Sequence, residues 1–424
     1  MAKKVADQLV DTLEKAGVRR IYAVTGDSLN EVNEAVRKNG RLRWIHVRHE
    51  ETGAYAAAAE AQLTGELACC AGSSGPGHVH LINGLYDAQR SGARVLAIAS
   101  TIPSREFGTE YFQETNTIKL FDDCSYYNQV ATTPEQFPRM LQGAMQAAIS
   151  SCGVGVIGLP GDLAAENATA GLSSTFSFPT RQRVCPAEQE IRELADLLNN
   201  AKKVTLYCGI GAKDAHPELV QLAKYEKVRE NLRSAAAVRG KEEKIQPEYV
   251  ISVVDELSSD DAIFTVDTGM TCVWGARYLQ ATGMRKMLGS FNHGSMANAM
   301  PQAIGAALAY PGRQVVALCG DGGISMLLGD LATIVQYHLP IKLIVFNNRS
   351  LGMVKLEMEV AGLPDWQTTM LNPDFARVAL SMGMAGYNVI NPDDVFPTLQ
   401  KVFNADGPAL VCLLYTSPSP RDRT

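Results

Sequence analysis

The stretch VVALCGDGGISML, residues 315–327, decides the fold of the C-terminal part of this chain. The apolar run that begins at Val315 predicts a buried strand, and the glycines after it predict a tight turn into a helix. Glycines at such a turn let backbone amides approach a phosphate, and the N-terminus of the following helix favours negative charge. The stretch therefore predicts a phosphate-binding turn at the carboxyl edge of a parallel sheet.

A second motif, FNNRSLG at residues 346–352, follows the next apolar run. Asn348 lies 27 residues after Asp321, and in neighbouring parallel strands both side chains would emerge at the same sheet edge. The Asp321 carboxylate, the Asn348 amide oxygen and the main-chain carbonyl of Ser350 are hard oxygen ligands suited to Mg²⁺ that also holds a diphosphate. Each motif alone is more often an ordinary turn, but the strand context and the pairing of the two motifs together favour a metal site.

Short apolar runs alternate with helical patterns up to residue 167 and again from 246 to 414. This alternation predicts α/β architecture with parallel sheets flanked by helices. We expect an N-terminal domain over 1–167, a linker and truncated middle domain over 168–245, a C-terminal domain over 246–414, and a non-native tail over 415–424. The predicted strands are Arg20–Val24, Leu67–Ala71, Val95–Ala99, Val154–Leu159, Val204–Cys208, Ile263–Val266, Val315–Leu318 and Ile341–Phe346.

The overall composition excludes several classes of partner. The 424 residues carry a net charge of −6 without a basic run, which argues against nucleic acid and against anionic membranes. The N-terminal residues 1–18 predict an amphipathic helix and not a signal peptide. Nine cysteines occur without metal-ligand spacing, which suits a reducing compartment, and we expect a cytoplasmic location. Four of them lie in apolar stretches, where a thiol behaves as a small hydrophobe: Cys69, Cys208, Cys319 and Cys412.

The GDGG and NN motifs resemble those of thiamine diphosphate-dependent enzymes, and other stretches are more narrowly similar to pyruvate oxidases, in particular the quinone-reducing bacterial pyruvate dehydrogenases. The resemblance extends over nearly all of both large units. It implies two thiamine diphosphate-binding domains, the first for the pyrimidine and the second for diphosphate and Mg²⁺, with a truncated Rossmann-like middle segment. The stretches are VTGDSLN (24–30), RHEE (48–51), SGPG (74–77), YFQET (111–115), GSFNHGSMANAMPQAIGA (289–306) and CGDGG (319–323).

Three residues of the N-terminal unit acquire catalytic roles from this resemblance. Glu50 matches the glutamate that bonds to the cofactor's pyrimidine and activates it; without the resemblance, HEE would also suit a solvated helix start. The small residues that follow, up to Ala59, predict a helix face smooth enough for close packing. Phe112 and Gln113 match a loop that approaches the substrate.

The resemblance also implies the residues that contact the cofactor and the metal. Met296 matches a residue that supports the bent conformation of the cofactor, although methionine more often serves as ordinary core packing. Four histidines, at 49, 78, 80 and 293, are not spaced as a metal site, and none is assigned a proton-transfer role. The implied cofactor-binding residues are Gly26, Glu50, Gly75, Asn292, His293, Met296, Gly320, Gly322, Gly323, Leu351, Gly352 and Met353, and the implied metal ligands are Asp321, Asn348 and Ser350.

The implied reaction is oxidative decarboxylation of pyruvate to acetate and CO₂, with electrons passed through FAD to a quinone or another acceptor. The resemblance further implies a homo-oligomer, a dimer or tetramer, because Glu50 of one subunit would face Asp321 of another. We expect no membrane association, since the C-terminal extension that anchors the quinone-reducing relatives is missing.

The middle segment departs from this pattern, so the oxidation step that would follow decarboxylation stays open. Gly209 and Gly211 follow a predicted strand, but the segment has no GxGxxG, and a lone GxG is weak evidence for a dinucleotide. FAD binding is therefore in doubt. Two alternatives stay open: a non-oxidative decarboxylase or acetolactate synthase-like enzyme that needs no flavin redox, and a truncated protein that binds the cofactor without turnover.

Overall fold

The computed structural model describes residues 3–169, 185–212, 215–222 and 244–415, which contain two six-stranded sheets. Residues 170–184, 213–214 and 223–243 of the predicted linker and truncated middle domain, and residues 416–424 of the predicted tail, lie outside the described residues. The first sheet consists of β1 (Arg20–Ala23), β2 (Arg43–His46), β3 (Ala68–Gly72), β4 (Val95–Thr101), β5 (Tyr127–Val130) and β6 (Val154–Pro160). The second consists of β7 (Ile263–Val266), β8 (Lys286–Gly289), β9 (Val315–Gly320), β10 (Lys342–Asn347), β11 (Ala385–Val389) and β12 (Ala409–Leu414).

Every strand pairing in both sheets is parallel, with the orders β2-β1-β3-β4-β6-β5 and β11-β12-β10-β9-β7-β8. Helices connect the strands and cover the sheets, as parallel connections require. The α/β architecture predicted from the sequence is confirmed. None of the helices in the described ranges has the length and apolar character that a membrane crossing requires.

The helices of the N-terminal unit are α1 (Val5–Lys15), α2 (Asn30–Asn39), α3 (Glu50–Thr64), α4 (Pro76–His80), α5 (Ile82–Arg90), α6 (Thr117–Phe121), α7 (Phe137–Ser151) and α8 (Gly161–Ala165). The middle segment contributes α9 (Glu188–Asn200) and α10 (His216–Leu222). The C-terminal unit contains α11 (Pro247–Leu257), α12 (Met270–Tyr278), α13 (Ala299–Ala309), α14 (Asp321–Met326), α15 (Leu331–Gln336), α16 (Gly352–Val360), α17 (Phe375–Ser381) and α18 (Val395–Phe403).

One predicted strand, Val204–Cys208, is wrong. Residues 201–209 are irregular and exposed, and Cys208 is an exposed thiol instead of a buried one. A strand needs a neighbouring strand to pair its backbone groups. Within residues 185–212 and 215–222 the structure has helices α9 and α10 but no strand with which residues 204–208 could pair. The described part of the middle segment is therefore not a Rossmann-like unit.

Successive residues of the central strands face two different apolar cores, one on each side of the sheet. In β9, Val315, Ala317 and Cys319 face one apolar core, whereas Val316 and Leu318 face another. The first of these cores also receives residues of the N-terminal sheet and of the helices between the two sheets, so both units share it. Burial on both faces explains why such strands are continuously apolar.

Helices α3 and α13 form the most extensive contact between the two units in the described part of the chain. An ideal Cβ on Gly305 would lie 2.8 Å from the carbonyl carbon of Ala56, so only glycine fits this crossing without displacement. The smooth helix face predicted after Glu50 is present: Ala54, Ala57 and Ala58 are fully buried. This contact holds α3 against the C-terminal unit.

Candidate active site

Asp321 lies where β9 ends and α14 begins, at the carboxyl edge of the second sheet. Strands β9 and β10 are neighbours, with Gly320 opposite Phe346, so the GDGG and NN motifs meet as predicted. Asp321 Oδ2 accepts hydrogen bonds from the Arg349 amide at 2.8 Å and from Asn372 Nδ2 at 2.7 Å. Burial raises the pKa of the Asp321 carboxyl above its ordinary value, and these hydrogen bonds oppose that shift.

A pocket of about 550 Å³, including its open mouth, surrounds Asp321. It contains all three predicted metal ligands and seven of the predicted cofactor contacts. Its lining residues are Thr268, Gly269, Met270, Thr271, Trp274, Met296, Gly320, Asp321, Gly322, Gly323, Phe346, Asn348, Ser350, Leu351, Gly352, Met353, Val354 and Tyr415. The structure thus brings these ten C-terminal candidates together around a single cavity.

The chemistry of this pocket fits a diphosphate and a divalent cation. Asp321 and Asn348 supply a carboxylate and an amide oxygen, the ligand types that Mg²⁺ prefers. The Ser350 hydroxyl is buried and, among the described residues, has no hydrogen-bond partner, so it is available to a ligand. An ideal Cβ on Gly322 would lie 3.0 Å from both Met296 Cε and Leu351 Cδ2, so these two side chains pack closely on the glycine beside the cavity.

Two polar residues beside Asp321 were not predicted. Asp267 directly follows β7 and accepts hydrogen bonds from the Ala299 and Gly320 amides at 2.9 and 3.1 Å; burial raises its pKa to about 7. The sheet-edge rule that identified Asp321 applies equally to Asp267, so the sequence did carry a signal for it. Asn372, which bonds to Asp321, lies in an irregular segment 51 residues later in the chain and had no such signal.

Glu50 lies at the first turn of α3 and belongs to a second cluster, on the N-terminal sheet. Its side chain is 7% exposed, and its Oε2 lies 3.0 Å from His80 Nδ1. An ideal Cβ on Gly77 would be 3.3 Å from Oε1, so the SGPG turn packs against this carboxyl group. The ligand-type atoms of His49, Glu50 and His80 lie within 4.8 Å of one another, a proximity that their spacing in the sequence did not reveal.

The predicted substrate loop also joins this second cluster. Gln113 Oε1 accepts a hydrogen bond from the Ser74 hydroxyl at 2.8 Å, and Gln113 packs directly on Gly75. Phe112 is 76% exposed, so its side chain extends from the protein surface. Gly26 packs against Ser73 on the same turn. The predicted N-terminal residues are therefore neighbours, with Phe112 at the open side of the loop.

Asn292 and His293 occupy a different place. The Asn292 side chain donates to the Arg90 carbonyl at 3.0 Å, and His293 Nε2 lies 2.8 Å from Asn83 Oδ1. The His293 ring also stacks on Tyr86. In the described part of the chain these contacts join the two units, and neither residue lines the Asp321 pocket. Their predicted contact with the cofactor stays a prediction.

Comparison with known proteins assigns the Glu50 cluster and the Asp321 pocket, which we call the two half-sites, to two different domains. Residues 3–120 match the N-terminal TPP binding domain of thiamine pyrophosphate enzymes, and residues 267–413 match the C-terminal TPP binding domain. YdaP of Bacillus subtilis, described as a thiamine pyrophosphate-containing protein, is 30% identical over 99% of this chain and 93% of its own length. The chain belongs to the thiamine pyrophosphate enzyme family. Thiamine pyrophosphate and thiamine diphosphate are the same molecule.

Other members of the family carry specific names. A pyruvate oxidase of Lactiplantibacillus plantarum is 28% identical over 97% of this chain and 88% of its own length. Acetolactate synthase 2 of Zea mays is 24% identical over 97% of this chain and 85% of its own length. The alignment with YdaP runs over 534 positions, which exceeds the 424 residues of this chain by 110, so the chain is much shorter than that relative.

Proposed function

We propose that this chain binds thiamine diphosphate and Mg²⁺ and decarboxylates a 2-oxo acid, with pyruvate as the first candidate. The observation that carries the proposal is the meeting of Asp321, Asn348 and Ser350 in one pocket beside Met296 and the glycine turn. The named relatives include a pyruvate oxidase and acetolactate synthases, which supports a 2-oxo acid as substrate.

Each half-site has a distinct task in this proposal. Asp321, Asn348 and the Ser350 carbonyl would hold Mg²⁺, and the Gly320–Gly323 turn would receive the diphosphate. Bound thiamine diphosphate supplies the group that stabilises the carbanion left by loss of CO₂. Glu50 would hold a proton at the pyrimidine, and its burial limits competition from water. Gln113 and Phe112 would orient the substrate from the open side.

We further propose that two copies of the chain complete each site. Every residue that lines the Asp321 pocket belongs to the range 268–415, whereas Glu50 and Gln113 belong to the other unit. Helix α16 lines the pocket with its first turn, and apolar side chains of this helix remain exposed, among them Val354 at 46% and Val360 at 79%. A second copy that presents its Glu50 cluster would cover them and would exclude water from the pocket.

Two fates remain for the product of decarboxylation. The name of the pyruvate oxidase relative supports an oxidative fate. For that fate, the resemblance seen in the sequence implies acetate as the product and FAD as the carrier of electrons to a quinone. Yet the described middle residues, 185–212 and 215–222, do not fit a flavin, because they provide no strand to support a dinucleotide-binding turn. We therefore derive no step through FAD. A non-oxidative outcome, as in the acetolactate synthases, is the second candidate.

Product analysis tests the proposal and separates the candidates. Purified protein is incubated with pyruvate, thiamine diphosphate and Mg²⁺, with and without FAD and an artificial electron acceptor. We expect CO₂ release that depends on thiamine diphosphate. Acetate formed only with FAD and the acceptor supports the oxidative reaction, while acetolactate or acetaldehyde supports the non-oxidative one. Ligand-induced stabilisation without CO₂ from any 2-oxo acid contradicts the proposal and identifies a cofactor-binding protein without turnover.

A further inference from the structure

Asp330 is a buried carboxylate that joins the two half-sites of one chain. It ends the short 3₁₀ segment Leu328–Asp330, which follows the helix that starts at Asp321. Its side chain is 1% exposed. Oδ1 accepts from the Arg48 amide at 2.8 Å, and Oδ2 accepts from the Thr52 hydroxyl at 2.7 Å. A third donor, the Thr333 hydroxyl at 2.7 Å, lies on its own unit.

The two donors from the N-terminal unit lie on either side of Glu50. Arg48 precedes Glu50 by two residues and Thr52 follows it by two, so Asp330 holds the backbone before α3 and the side chain of its first turn. We propose that Asp330 is a positioning residue, which sets the place of the Glu50 carboxyl by binding the chain on both sides of it. This inference rests on the proposed function, because it assigns a purpose to the placement of Glu50.

The hydrogen bonds of the buried Asp330 carboxylate favour a fixed arrangement of this group and its donors. A buried carboxylate is costly unless donors satisfy it, and here three donors compensate the burial that raises the pKa of Asp330. Other bonds hold the two units together independently: the His46 amide donates to Tyr337 Oη at 2.7 Å, and Tyr55 Oη donates to Ser295 Oγ at 2.5 Å. Removing one donor to Asp330 should therefore alter the placement of Glu50 without separating the units.

Two threonines provide a matched pair for the test. Thr52 and Thr333 are both fully buried, and each donates its hydroxyl to Asp330 at 2.7 Å, but only Thr52 adjoins Glu50. Thr52→Val should lower kcat for pyruvate-dependent CO₂ release about tenfold, since small misplacements of a reacting group have large kinetic effects. The KM for pyruvate and the Kd for thiamine diphosphate should stay within about twofold, because the Asp321 pocket is unchanged. Thr333→Val should keep at least about half of the wild-type kcat. Equal losses of kcat in both variants would overturn the inference.

Hydrogen exchange in the protein without cofactor tests the same contact without reference to activity. The Arg48 amide should exchange at least about tenfold faster in Asp330→Ala, because its acceptor is gone. Asp330→Asn keeps an acceptor oxygen and should restore slow exchange. Strand β10 serves as the reference: faster exchange there as well would indicate general destabilisation and would count against a positioning role.

The kinetic and the hydrogen-exchange experiments test the proposed function and the positioning role of Asp330 separately. If the wild-type protein releases no CO₂ from any 2-oxo acid, the proposed function fails, while the exchange comparison still decides whether Asp330 holds the segment around Glu50. If CO₂ is released but Asp330→Ala leaves Arg48 exchange unchanged, the proposed function stands and the positioning role is refuted.

Discussion

Replacing Gly305 with alanine should destabilise the protein, although alanine is the better helix former. The added Cβ would lie 2.8 Å from the Ala56 carbonyl carbon and 2.9 Å from its Cα, and closer still to its oxygen. Carbon atoms in contact lie about 3.5 Å apart or more, so α13 and α3 would have to separate by about 0.7 Å. No side-chain rotation can relieve the contact, because the Ala56 atoms belong to the backbone.

The magnitude follows from two opposing terms. Overpacking of a core costs about 1–3 kcal/mol, and a backbone contact belongs at the upper end. Replacing glycine with alanine within a helix stabilises the helix by about 1 kcal/mol. We therefore expect the free energy of unfolding to fall by about 2 kcal/mol. The assay is urea unfolding followed by far-UV circular dichroism. Gly407→Ala is the control, since an ideal Cβ there meets nothing within 4 Å. A Gly305→Ala variant as stable as the wild type would refute the close α3–α13 crossing.

Three further predictions concern single polar residues. Burial raises the pKa of Asp87 from its ordinary value of 3.8 to about 6, so its protonation stabilises the fold fully below pH 3.8, and this stabilisation is lost as pH rises through 6. From pH 4 to 7 the unfolding free energy, measured by urea titration, should therefore fall less in Asp87→Asn than in the wild type. The two falls should differ by up to about 3 kcal/mol, and equal falls would contradict this. Ser350→Ala should stabilise the cofactor-free protein by about 1 kcal/mol, because it removes a buried hydroxyl that has no partner among the described residues. The same variant should show a smaller rise in Tm with Mg²⁺ and thiamine diphosphate, and an undiminished rise would refute a ligand role for that hydroxyl. Asp321→Asn should raise the Kd for thiamine diphosphate in the presence of Mg²⁺ by about tenfold or more, measured by calorimetry; a Kd independent of Mg²⁺ in the wild type would argue against the metal site.

The central strands could be predicted from the sequence because burial on both faces requires a continuous apolar run. Strand β4, VLAIAST, is buried at every position. Edge strands lack this signal: β2 (RWIH) contains one buried residue among four, and β5, β8 and β11 are also partly exposed. All four were missed, and they are the four edges of the two sheets. Strand β12 lies within the alternation predicted for 246–414 but was not itself among the predicted strands, although it is apolar and buried at five of its six positions.

The candidate site divides in the same way. Asp321 and Asn348 were predictable because strand ends in a parallel sheet share one edge, a rule that needs only local patterns. The bonds of Asp330 to Arg48 and Thr52 join residues 282 and 278 positions apart, and no local pattern anticipates them. The contact of His80 with Glu50 likewise depends on how α4 packs beside α3. Tyr415, the first residue of the predicted non-native tail, packs against Trp274 and Phe346 at the pocket.

The central claim is that Asp321 of one copy and Glu50 of another form each active site. Mixing inactive Glu50→Gln and Asp321→Ala proteins after dissociation and reassociation tests it most directly. If the residues come from different copies, random pairing leaves about one quarter of the sites with both residues intact, so we predict about one quarter of the wild-type CO₂ release. If both residues came from the same copy, every site would carry one defect and the mixture would stay inactive, which would contradict the account.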